Sequence, residues 1–201
     1  MDSVMKTLTN QLSGDAIKSI SSQLGVKEKT AQSAVPQALS LLMGALANNA
    51  SKKEGAQSLN QALEKDHDGT ILNDLSGFLG NFQSGPGEGI LKHVLGSKLG
   101  VAEEQMGKST GLDSGTVGKL LMMLAPVVLG ALGKTKKENG LDVSALAGLL
   151  SSEKKVAAKT APQSMSILTQ FLDADGDGDI KDDIAQKGIG FLGKLLSKKR
   201  R

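Results

Sequence analysis

The sequence predicts an all-α protein, and three observations carry that prediction. Apolar residues recur at helical spacing along nearly the whole chain. The alternation of period two that marks strands is missing, and β-branched residues are scattered singly. No Asn-Gly hairpin signal sits between two strand-like runs, since Asn139-Gly140 lies between helical patterns. Seven to ten short helices joined by Gly and Ser turns are therefore expected, within 201 residues that fit one large domain or two halves.

Taken in order, Val4, Met5, Leu8 and Leu12 mark a first helix, and Ile17, Ile20 and Leu24 a second. Leu24-Gly25 and Leu99-Gly100 read as helix ends, where a left-handed glycine closes the last turn at low steric cost. Leu91, Val94, Leu95 and Leu99 form a further stripe. The longest apolar run, Leu120 to Gly133, is flanked by Lys119 and Lys134 and interrupted by Pro126. It falls short of the roughly 18 residues needed to span a bilayer and reads as a buried core helix, so no membrane span is expected. Gly77, Gly80, Gly188, Gly190 and Gly193 fall inside helical patterns. Each costs roughly 1 kcal/mol relative to alanine, a loss that close helix approach would offset.

An internal repeat organises the chain. Leu59–Leu75 and Leu168–Ile184 align at a constant offset, with identities that include Leu63/Leu172, Asp66/Asp175, Asp68/Asp177, Gly69/Gly178 and Ile71/Ile180. Upstream, Leu24-Gly25-Val26 resembles Leu99-Gly100-Val101, and each half carries one proline in an apolar stretch, Pro36 or Pro126. Phe78-Leu79-Gly80 and Phe191-Leu192-Gly193 follow the two loops. This divides the chain into an N-terminal half (1–82), a Gly/Pro hinge (83–89), a C-terminal half (90–193) and a basic tail (194–201), with the halves expected to share one core.

Composition closes several functional classes. With no cysteine there is no disulfide, thiol nucleophile or thiolate zinc site. With no Trp or Tyr, and rings only at Phe78, Phe82, Phe171 and Phe191, there is no stacking platform for sugars or single-stranded nucleic acid. The net charge is +3, yet arginine occurs only at Arg200 and Arg201, which argues against base-specific DNA recognition and phosphoryl transfer. No secretory signal is visible after Met1, so the cytoplasm is the expected location.

The sharpest motif is Asp173-Ala174-Asp175-Gly176-Asp177-Gly178-Asp179-Ile180, which matches the first two-thirds of an EF-hand calcium loop. Asp173, Asp175 and Asp177 would supply carboxylates, Asp179 its carbonyl, and Asp182 or Asp183 would close the shell, because Ile184 replaces the usual bidentate glutamate. Calcium is thus the one cofactor the sequence suggests, bound weakly. The first-half counterpart, Glu64 to Ile71, offers fewer oxygens and reads as a structural turn. His67 and His93 have no partner at ligand-like spacing and read as surface residues. Ala102 to Ser109 imitates a phosphate loop, but the preceding segment is helical and Glu103 and Glu104 would repel an anion, so no nucleotide is expected. No Gly-x-Ser-x-Gly elbow or Ser-His-acid set is present, and the chain reads as a non-enzyme.

The leucine-glycine turn, the proline-bearing helix leading to Leu46-Ala47-Asn48-Asn49-Ala50, the Asp66–Ile71 loop and Gly77-Phe78-Leu79-Gly80 together resemble the bacterial YidB-like family, domain of unknown function 937. The resemblance runs from about Leu24 to Gly193 and implies a multihelical fold and a bacterial origin. It implies no catalytic residues. The reading is a non-enzymatic interaction or scaffold module that binds a protein partner or a second copy. The alternative is a nucleic-acid-binding protein using the helix-turn-helix-like segments at Leu24 and Leu99 and the tail Lys198-Lys199-Arg200-Arg201.

Overall fold

The computed structural model describes residues 3–82 and 85–164. Among these the chain is helical with no strand, in the order α1 (Val4–Gln11), α2 (Asp15–Leu24), α3 (Glu28–Ala50), α4 (Lys53–Lys65), a 3₁₀ turn (Thr70–Asp74), α5 (Leu75–Gly80), α6 (Gly85–Val94), a second 3₁₀ turn (Gly96–Lys98), α7 (Leu99–Thr110), α8 (Ser114–Asn139) and α9 (Val143–Thr160). The all-α expectation holds, but the helices are not uniformly short: α3, α8 and α9 have 23, 26 and 18 residues.

Two helices make the centre. In α3 every residue from Ala38 to Ala47 is buried, and in α8 every residue from Met123 to Gly133. Helices hydrophobic on all sides are stable only when covered on all sides, and α1, α2, α4, α6, α7 and α9 provide that cover. The most extensive packing is α3 on α9. One hydrophobic cluster runs through both halves, from Val4 to Ala157.

Both central helices carry an interior proline, Pro36 in α3 and Pro126 in α8. Pro126 has no N–H to give the Met122 carbonyl. At that carbonyl α6 packs so closely that any side chain on Gly87 would collide with it. By length and composition α8 could cross a membrane, and 78% of its apolar stretch is buried inside the fold.

The helix ends correct three sequence expectations. Gly25 does close α2, with φ +67 and its N–H on the Ser21 and Ser22 carbonyls. Gly100, by contrast, lies inside α7, and the left-handed glycine before the long helix is Gly111, at φ +76. There Leu112-Asp113 leads into α8, and the Asp113 carboxylate accepts from the Thr116 N–H at 2.9 Å. Second, Gly85 to Gly89 is not an open hinge but the first turns of α6, with Pro86 where its missing N–H costs nothing. Third, Gly77 accommodates no neighbouring helix. It makes room for the Asp74 side chain, which caps α5 by accepting from the Gly77 N–H at 2.9 Å. Gly188, Gly190 and Gly193 lie outside the described residues.

The N-terminal helix is held by a distant acid. Glu153 of α9 is 3% exposed, and its carboxylate accepts from Ser3 Oγ at 2.8 Å and from the N–H groups of Val4 (3.0 Å) and Met5 (2.9 Å). A negative group at a helix N-terminus meets unpaired amides and the positive end of the dipole, which is why this charge tolerates burial.

Candidate functional site

The first aspartate loop is a docked turn. Asp68 Oδ1 accepts from the Thr70 N–H at 3.0 Å, which holds its carboxyl below the usual range, and Gly69 takes φ +98. The loop lies on α8 at Gly130 and Gly133. A side chain on Gly133 would collide with the His67 carbonyl, and one on Gly130 with Ile71. A Cβ on Gly69 would in turn approach that of Lys134 to 2.6 Å. Among the described residues no group of three His, Asp or Glu side chains is placed to hold a metal ion. Within Glu64 to Ile71 the backbone forms a turn, with the Asp68 bond to Thr70 and the positive φ of Gly69. The proposed calcium ligands Asp173, Asp175, Asp177, Asp179, Asp182 and Asp183 all lie outside the described residues.

Docking this loop on α8 builds one wall-end of a trough of about 690 Å³ between α3, α4 and α6. From α4 it takes the face Lys52, Gly55, Ser58, Leu59, Ala62 and Asp66, whose three- and four-residue spacing puts them in one line. Leu46 and Asn49 come from α3, Leu129 from α8, and Pro86, Gly89, Ile90, His93 and Val94 from α6. The middle is mainly apolar, with Ser58 as its polar side chain, and the charged and imidazole groups lie towards the ends. Asn49 Nδ2 donates to the Val94 carbonyl at 2.9 Å, tying the end of α6 to the end of α3 one turn from Lys52. His93 Nδ1 donates to the Gly89 carbonyl at 2.9 Å, which makes Nε2 the acceptor nitrogen of the neutral ring. Lys52 makes no ion pair among the described residues.

Asp66 and His67 stand at the opposite end. Burial lowers the His67 imidazole below its ordinary value, against the weaker pull of the Asp66 charge. The two histidines, read from sequence as isolated surface residues, thus line one cavity. No spacing rule could have found this, because the lining comes from four helices and a loop. The usable signals were the Gly55/Leu59/Ala62 stripe on α4 and the Pro86/Gly89/Ile90 stripe on α6.

The remaining sequence motifs resolve simply. The imitation phosphate loop, Ala102 to Ser109, is mid-helix in α7, and Lys108 pairs with Glu104 at 2.8 Å. Its amides are spent on the helix and cannot cradle phosphate. Glu103 and Glu104 lie beyond the first turn of α7. In the helix-turn-helix reading the segment after Leu24-Gly25 is α3, which is exposed at Glu28, Lys29, Gln32 and Ser33 and buried from Ala38 to Ala47.

No curated protein and no solved structure matches the chain. One family model does match, over residues 6–135, described as a bacterial protein of unknown function, DUF937. The match runs unbroken from α1 through most of α8 and includes the α4 face, the α6 face and the docked loop. On that match, spanning well over half its length, the chain belongs to the DUF937 family of bacterial proteins.

Proposed function

We propose that the chain is a non-enzymatic helical binding module of the cytoplasm, and that the trough between α3, α4 and α6 is its receptor site. The observation that carries this reading is the trough itself. It has the size of a small-molecule site and a largely apolar lining, with Ser58 in the middle and the charged and imidazole groups towards the ends. A broad protein interface finds less support: among the described residues Val101 is the large apolar side chain left exposed, well short of a docking patch.

The test is uptake of a neutral solvatochromic dye such as Nile red by the folded chain, repeated with Ala62→Trp. Ala62 lies on the α4 face one turn from Asp66, so an indole there projects into the trough and obstructs it. Saturable uptake that disappears in a folded Ala62→Trp variant is expected. Absence of uptake, or uptake unchanged in that variant, overturns the reading.

A further inference from the structure

Asparagine directly precedes glycine at a single place in the sequence, Asn139-Gly140, and the fold puts that pair at the C-terminal end of α8. Glycine has no side chain to hinder its backbone nitrogen, so this nitrogen is a reachable nucleophile for the amide carbon of the side chain before it. In that attack the bond from Gly140 N to Asn139 Cγ forms and the Cγ–Nδ2 bond breaks. The backbone proton leaves with Nδ2 as ammonia. Water then opens the cyclic imide at one carbonyl or the other, giving aspartate, or an isoaspartate that carries an extra methylene in the main chain. Water is the sole co-reactant, and both residues are exposed to it.

In the folded chain both reacting groups are already engaged. The Gly140 N–H donates to the Lys136 carbonyl, with Gly140 at φ +59, and the Leu141 N–H donates to the same carbonyl at 3.0 Å. Asn139 Nδ2 donates to the Thr135 carbonyl at 2.8 Å, which turns the side chain back along α8 and away from the glycine nitrogen. Attack requires the Gly140 N–H to leave its acceptor and the Asn139 side chain to swing over its own backbone, so the last turn of α8 has to open first. We propose that Asn139-Gly140 is a latent modification site, a linkage that converts spontaneously to aspartate and isoaspartate, held unreactive by the left-handed cap of α8 and released whenever that cap opens. The isoaspartate product is a one-way mark. Its added methylene shifts the two amides off the Lys136 carbonyl, in the turn that leads into Asp142, the N-cap of α9.

The experiment is to hold the full chain at mildly alkaline pH, folded and in denaturing urea. Asn139 is followed in peptide digests by the mass gained when an amide becomes an acid, and by enzymatic methylation of isoaspartate. Exchange of the Gly140 amide with deuterated water is measured on the folded chain in parallel. Conversion in the folded chain is expected to be slower by about tenfold or more, the factor set by a cap opening of about 1.4 kcal/mol, with Gly140 exchange slowed to a similar degree. The isoaspartate-bearing chain should also melt below Asn139→Asp, which has the same charge and an unaltered main chain. Equal conversion in the two states, a denatured chain that leaves Asn139 intact, or slow conversion beside a freely exchanging Gly140 amide each overturns the assignment. Equal melting of the isoaspartate chain and Asn139→Asp overturns the one-way mark.

Discussion

At the scale of single residues, buried Glu153 does the most for the fold. Its carboxylate takes the Val4 and Met5 amides and the Ser3 hydroxyl, so truncation leaves donors in a region where Val4 and Met5 are 2% and 1% exposed. Glu153→Ala should therefore cost about 2–4 kcal/mol in urea unfolding. Glu153→Gln, which keeps one acceptor oxygen, should cost less. His67 supplies a pH dependence with a definite sign. Burial lowers its folded-state value below the ordinary 6.5 of the unfolded chain, so the folded state binds the proton less well. Stability from this group is level above pH 6.5 and falls as pH drops below it, toward the folded-state value. His67→Gln should flatten that part of a melting-temperature profile between pH 7.5 and 5.5. An unchanged slope would assign the effect to other groups.

At the scale of elements, glycine has opposite values on two helices. On α9, Gly148 has nothing within 4 Å of the place a Cβ would occupy, so Gly148→Ala should stabilise by up to about 1 kcal/mol through helix propensity alone. On α8, Gly133→Ala drives a methyl group into the His67 backbone carbonyl, which cannot rotate away, and should destabilise by about 1–3 kcal/mol despite the same propensity gain. Paired thermal melts check both signs. The outer helices were legible because each buries a face at 3.6-residue spacing, and the central α3 and α8 because their apolar runs are too long for strands. Helix ends were less so. Gly100 follows a leucine as Gly25 does, yet the chain stops one helix later at Gly111, where Asp113 stands ready as the next N-cap. A capping aspartate two residues after a glycine was the better signal than the leucine before it. The trough was legible only as two separate stripes, on α4 and on α6, because it forms where faces distant in sequence come to line one cavity.

At the scale of the whole molecule, the question is whether two sequence halves make one cooperative unit. The hinge placed at 83–89 suggests two units, but its last five residues are helical and α6 packs closely on α8 through Gly87. Across the proposed boundary α3 of the first half lies on α9 of the second, and Glu153 of α9 caps α1. The first aspartate loop is seated on α8. Separating the halves would expose α3, whose residues from Ala38 to Ala47 are all buried, on the side that α9 covers. Small domains whose elements share a single core unfold all at once, because no part can leave without uncovering another. The full chain should therefore show one calorimetric transition with equal van't Hoff and calorimetric enthalpies, and residues 1–82 alone should lack a cooperative melt. Glu153→Ala tests the same coupling from the other side: it should lower the single melting temperature without splitting the transition. Two resolved transitions, or a cooperative melt in the isolated N-terminal half, would mean that each half holds its own core and that the α3–α9 contact joins two finished domains.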